Sequence, residues 1–170
     1  MRSQPTKHLS VKKIALFGVL GALTFGAKLV MSGLPNIEPV SLMVMLFAVT
    51  FGRKCIYPTY VYVAMELLIY GIGVWNIYYL YVWPVLAVGA YLLRGVKGRL
   101  PWAILSGGFG LAFGALCAIT DMVLYGFPVA VGKWVGGIPF DLIHCVSNFV
   151  IALLLFDPLR QLMEKLYKRL

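Results

Sequence analysis

The sequence predicts an all-α, polytopic membrane protein of six transmembrane helices with both termini on the cytoplasmic side. Three observations carry that prediction. Of 170 residues, 61% are hydrophobic and only 12% charged, with a mean hydropathy of +0.89, so the chain has too little polar surface to fold in water. The apolar residues fall in long runs separated by glycine, proline and clustered charge. The basic residues sit almost wholly in alternate gaps, which is the positive-inside pattern.

Residues 1–13 are polar and basic, with Arg2, Lys7, Lys12 and Lys13, and predict a cytoplasmic N-terminal segment. Ile14 to about Ser32 has the roughly 20 residues a bilayer requires. Its Ala15, Gly18, Ala22 and Gly26 form a small-residue stripe that would let another helix approach closely. Gly33, Pro35 and Pro39 then break the helix and put Asn36 and Glu38 at a loop tip. Val40 to Gly52 is apolar but, at about 13 residues, short for a crossing; it predicts a second, short span ending at Arg53-Lys54. The third span, Cys55 to about Gly73, is interrupted by Glu66. Trp75, Tyr78, Tyr79, Tyr81 and Trp83 mark an interfacial helix start, where amphipathic rings sit well, and the fourth span runs on to about Leu93.

Pro101 can open the fifth span as a first-turn proline, and Gly107, Gly110, Gly114 and Ala118 give it a second close-packing face. Tyr125–Gly137 holds too many glycines for a span and predicts an irregular or re-entrant loop with a short helix. The sixth span starts at about Pro139 and exits at Asp157-Pro158. Residues 159–170 form an amphipathic cytoplasmic tail, with Leu159, Leu162, Met163 and Leu166 on one face, lying on the membrane surface. The whole of 1–170 is one transmembrane domain.

With six spans, the inside segments hold Arg2, Lys7, Lys12, Lys13, Arg53, Lys54, Arg94, Lys97, Arg99, Arg160, Lys165, Lys168 and Arg169, leaving Lys28 and Lys133 in the outer half. Membrane topology therefore accounts for the net charge of +9, and no nucleic-acid partner is called for. Cys55, Cys117 and Cys145 show no CxxC spacing and lie in or beside apolar runs, so neither a disulfide framework nor a metal site is expected.

The chemistry gathers at the outer end. Asp141, His144 and Asn148 recur at i, i+3 and i+7, one face of a helix, and ionisable groups at membrane depth are functional candidates by default. The plain alternative is that they only tie neighbouring helices together. Glu66 lies about 12 residues into its span, roughly 18 Å deep, where a lipid-facing carboxylate is costly; Lys28 is a possible counter-ion. Glu38, Asp121, Lys133, Asn36 and the Trp75–Trp83 belt lie at the same end. A pocket walled by Trp and Tyr with a few fixed polar groups suits a small, ring-rich molecule.

Catalysis has little support. The sequence has no GxxxxGK[ST] phosphate loop, no HExxH and no convincing nucleophilic serine. Phe140-xxx-His144 and His144-xxx-Asn148 superficially match the FxxxH and HxxxN patterns of intramembrane CAAX-type proteases, which would use His144 with Glu66. One histidine serving both patterns, and the lack of that family's paired glutamates, count against it.

The chain as a whole resembles the S-component, the membrane-embedded substrate-binding subunit, of energy-coupling factor (ECF) transporters. Leu34-Pro-Asn-Ile-Glu-Pro-Val-Ser-Leu42, Tyr79-Leu-Tyr-Val-Trp-Pro84 and Gly137-Ile-Pro-Phe-Asp-Leu-Ile-His144 are similar to a branch of S-components from Gram-positive bacteria, and within it to the cobalamin-specific type. The resemblance implies a multi-pass protein of a bacterial plasma membrane that captures a vitamin from outside. It would deliver the vitamin by docking on a transmembrane coupling protein with two ATPases, without enzymatic activity or a cofactor of its own. It also implies roles: Ala15, Gly18, Ala22 and Gly26 for docking; Asn36 and Glu38 in a lid; Tyr70, Trp75, Tyr79 and Trp83 as pocket walls; and Glu66, Asp141, His144 and Asn148 as deeper polar contacts. A different vitamin, and a purely structural membrane subunit, are the remaining alternatives.

Overall fold

A computed structural model describes residues 9–169. Those residues form six α-helices and no strand: α1 (Val11–Val30), α2 (Val40–Phe51), α3 (Ile56–Tyr70), α4 (Val74–Leu92), α5 (Leu100–Tyr125) and α6 (Phe127–Lys168), with a 3-10 turn at Gly52–Cys55. Arg2 and Lys7 of the expected N-terminal segment lie outside the described residues, whereas Lys12 and Lys13 already belong to α1. Ser10 caps that helix, its hydroxyl accepting from the Lys13 amide at 3.4 Å.

Four stretches are long and apolar enough to cross a membrane: Val11–Val30, Val40–Tyr70, Leu100–Tyr125 and Phe127–Lys168. Where the sequence predicts six spans, the second of them short, length and composition alone qualify these four stretches; Val40–Tyr70 takes in both α2 and α3, and α4 falls outside them. α4 begins with Trp75, Asn76, Tyr78 and Tyr79, which lower its hydropathy. α2 has 12 residues, about 18 Å of helix against about 30 Å of hydrocarbon. It is not a lipid-facing span: Val44, Met45, Leu46, Phe47 and Ala48 are all fully buried, the signature of a helix enclosed on every side.

Pairs of contacts show that successive helices reverse direction. Lys28, near the end of α1, meets Glu66, near the end of α3, and Tyr79, near the start of α4. At the opposite end Phe51, closing α2, packs on Phe17 of α1 and Tyr167 of α6. Gly52 makes the turn-back from α2 possible, with φ +59°, a backbone region that favours glycine.

One expectation for the last third of the chain is overturned. Tyr125–Gly137 is not a loop: the break is one residue, Gly126 at φ +84°, after which α6 runs unbroken for 42 residues. Pro139 and Pro158 sit inside it rather than at its ends. The expected amphipathic segment from Leu159 continues α6 as far as Lys168. Met163 is buried and Tyr167 lies 4.9 Å from the Phe51 ring, while Leu162 and Leu166 of the same segment stay exposed.

The glycine stripe of α5 does what its spacing predicts. A Cβ at Gly107 would lie 3.1 Å from the Cys145 carbonyl oxygen, one at Gly110 would lie 2.7 Å from that of His144, and one at Gly114 would collide with the Asp141 carboxylate. α5 and α6 thus approach backbone to backbone. On α1 the glycines divide. Gly21 faces α3, where a Cβ would meet Val61 at 2.6 Å, while Gly18 and Gly26 have nothing within 4 Å. In α4, Pro84 has no N–H for the Leu80 carbonyl four residues back; the Tyr60 hydroxyl donates to that oxygen instead, at 2.6 Å.

Candidate functional site

Because α2 is short, its first turn lies below the ends of its neighbours, and the loop from Met31 to Pro39 folds over the gap. Asn36 takes φ +58°, which asparagine tolerates. Beneath the loop is a cavity of about 240 Å³ whose lining includes Lys28, Pro35, Asn36, Glu38, Tyr62, Tyr79, Trp83, Phe113 and His144. Its wall is continuous aromatic: Tyr79 meets Trp83 edge-on at 5.3 Å, Tyr62 meets Trp83 at 5.9 Å, and Phe113 lies 6.0 Å from Trp83 and 5.1 Å from the His144 ring.

The loop is fastened at three points. Glu38 caps α2: its carboxylate accepts from the amides of Val40 and Ser41 and from the Ser41 hydroxyl, the last at 2.9 Å, serving N–H groups the helix leaves open. The same carboxylate meets His144 Nε2 at 3.2 Å. One turn further on, the Ser147 hydroxyl donates to the Asn36 carbonyl at 2.7 Å. The roof is therefore latched to α6.

Lys28 stands at the side of the cavity. It donates to Glu66 at 2.6 Å and to the Tyr79 hydroxyl at 3.4 Å, with the rings of Tyr62, Tyr70 and Tyr79 between 5.4 and 5.9 Å from its ammonium. Glu66 is 2% exposed, so the pair keeps a carboxylate at this depth that would otherwise be prohibitive. Two polar groups on cavity-lining residues, the Tyr62 hydroxyl and Trp83 Nε1, have no hydrogen-bond partner, nor has Glu66 Oε1.

Of the ten expected contact residues, Asn36, Glu38, Tyr79, Trp83 and His144 line this cavity. The other five surround it. Glu66 anchors Lys28 from behind, Tyr70 is half exposed beside Phe25, and Trp75 packs edge-on against Tyr79 at 5.4 Å. Asp141, His144 and Asn148 do share a buried face, but only His144 reaches the cavity. Asp141 accepts from the Gly114 amide at 3.2 Å, and Asn148 donates to the Ser41 hydroxyl at 3.0 Å and the Ser106 carbonyl at 3.4 Å. These two tie α6 to α5 and α2.

Lys28, Tyr62 and Phe113, with Met31, Ser32, Leu34, Pro35 and Ile37 of the roof and its approach, line the cavity but are not among the contacts expected from the sequence. A signal for Tyr62 was present, since Tyr62 and Glu66 are spaced i, i+4, as are Tyr79 and Trp83, placing each pair on one helix face. The remaining outer charges form a separate cluster, in which Asp121 accepts from Tyr78 at 2.7 Å and from Lys133 at 2.5 Å.

Protein-family models, curated proteins and solved structures offer no match to this chain. Among the described residues no three His, Cys, Asp or Glu side chains converge as a metal site would require. What the cavity offers is an aromatic wall of edge-on and tilted rings with the Lys28 ammonium at its side, while the carboxylate oxygens of Glu38 are taken up by α2 and His144.

Proposed function

We propose that the chain is the substrate-binding S-component of an ECF-type importer in a bacterial plasma membrane, with six membrane-embedded helices and cytoplasmic termini. The observation that carries this reading is the roofed aromatic cavity at the end where the acids gather, far from the basic end. The roof is a short loop held by side-chain contacts, so a ligand can be enclosed and released without dismantling the helices. Binding would occur there from outside. The half-buried Gly18–Ala22–Gly26 face of α1, where among the described residues nothing lies within 4 Å of a Cβ placed at Gly18 or Gly26, suits docking on the coupling protein, which with two ATPases would supply the energy.

The cavity also speaks to the ligand. At about 240 Å³ it is near the small end of ligand sites and favours a planar molecule of one or two rings whose edge accepts hydrogen bonds. A corrinoid is several times larger and would require the 33–39 loop to lift, resting on the aromatic rim. The hydrolase alternative needs His144 and Glu66 on one reacting atom; His144 is held by Glu38 and Glu66 by Lys28.

The deciding experiment is uptake of a labelled vitamin panel, cobalamin included, into vesicles holding the chain with a coupling protein and two ATPases, with and without internal ATP. ATP-dependent accumulation of one compound is expected, abolished by Gly18→Leu with Ala22→Leu while binding to the isolated chain persists. Equal loss of binding would refute that division of labour, and absence of accumulation across the panel would refute the transporter reading.

A further inference from the structure

A second cavity, of about 290 Å³, opens between the start of α3 and the last half of α4, at the end of the bundle opposite the roofed site. It exists because these helices barely touch there and α4 offers Pro84 and Ala87 where larger side chains would close the seam. Polar groups within it are already satisfied inside the protein: the Thr59 hydroxyl donates to the Cys55 carbonyl at 2.8 Å and the Tyr60 hydroxyl to the Leu80 carbonyl at 2.6 Å. The interior thus gives a polar solute nothing to bond and suits a hydrocarbon chain.

The mouth is different. Arg53 and Tyr91 both line it, and Arg94 lies over the Tyr91 ring at 4.0 Å. Both arginines are exposed, and among the described residues neither has an acidic partner. Stacking on the ring holds Arg94 in place while leaving its N–H groups free, the arrangement in which guanidinium recognises phosphate best.

We infer that this cleft is a binding site for an anionic phospholipid, with its phosphate between Arg53 and Arg94 and one acyl chain between α3 and α4. The lipid would be a strut in the seam between α3 and α4. Charge selects it: a zwitterionic lipid brings an ammonium to the same two cations, and a soluble phosphate leaves the apolar interior empty.

The test uses the purified full-length chain in detergent with equimolar phosphatidylglycerol and phosphatidylcholine, read by native mass spectrometry and by thermal unfolding. Phosphatidylglycerol should be retained preferentially and raise Tm. Arg53→Gln and Arg94→Gln, both at exposed positions, should each lower that preference about fivefold without changing phosphatidylcholine retention. Val88→Trp, which fills the cleft from its lipid-facing side, should reduce retention of both. Equal retention of the two lipids by the wild-type chain, or an unchanged preference in the double arginine variant, would overturn the site. So would glycerol 3-phosphate raising Tm as much as phosphatidylglycerol, because the acyl chain would then contribute nothing.

Discussion

Gly110→Ala is the smallest change that should disturb the roofed cavity from a distance. The added methyl would meet the His144 carbonyl carbon and oxygen at 2.7 Å and the Cys145 amide at 2.9 Å, where 3.4–4 Å is ordinary contact. These are backbone atoms and cannot rotate away, so α5 and α6 must part by about 0.7 Å. Overpacking of this kind costs about 1–3 kcal/mol, and an unyielding backbone belongs in the upper half of that range. Alanine also favours the helix by about 1 kcal/mol over glycine. Gly18→Ala supplies the control, since it carries the same helix term with nothing within 4 Å to strike.

The difference between the two variants isolates overpacking, about 2–3 kcal/mol. Reversible unfolding in mixed micelles of dodecyl maltoside and SDS, followed by tryptophan fluorescence, measures it, with Gly18→Ala at or above wild type and Gly110→Ala below. Displacing His144 should also stretch its 3.2 Å contact with Glu38 and quicken hydrogen exchange in the 33–39 loop. Equal stability of the two variants would refute the close approach of α5 and α6.

Three further outcomes are expected. His144→Ala removes one latch of the roof, worth about 1.5–3 kcal/mol for a bond to a charged group, so amide exchange at Asn36–Ser41 should rise at least tenfold while exchange in α5 stays unchanged; no rise would sink the latch. Lys28→Met leaves the buried Glu66 without its cation and should cost about 3–5 kcal/mol, most of it recovered by adding Glu66→Met; additive losses in that cycle would show the pair is not coupled. Tyr60→Phe strips the Leu80 carbonyl of its donor at a cost of about 1–3 kcal/mol. The loss should shrink in a Pro84→Ala background, where the helix regains an N–H for Leu80, and thermal unfolding of the four species tests this.

Much of this architecture was readable from residue type and spacing, because in a bilayer-like environment few signals compete. The Gly107–Gly110–Gly114 stripe named a close-packing face, and Pro35 and Pro39 named the break that became the roof. Glycine count misled at Tyr125–Gly137. In water so many glycines argue for a loop, yet glycine is more frequent in membrane helices than in soluble ones, and only Gly126 takes a backbone angle that ends the helix. The site was legible as a neighbourhood but not as a list. Asp141 and Asn148 share the face of His144, and no pattern in the sequence says that Gly114 and Ser41 would occupy them. Lys28 was readable as a counter-ion for Glu66 and not as part of a cavity wall, because its reach past Tyr79 depends on how α1 and α4 pack.

The order in which the helices can assemble follows from where the roof is fastened. α5 and α6 are joined by one residue and can pair as soon as both are made, a local contact of the kind that forms early. The ties from the α1–α2 segment to α6 span 106, 107 and 111 residues and must wait for the last helix to be synthesised. Until then α2, too short to cross and carrying Ser41 without its asparagine, has no stable place of its own. The cavity is therefore the last part of the molecule to come into being, and a chain truncated before His144 should insert its early helices yet bind nothing.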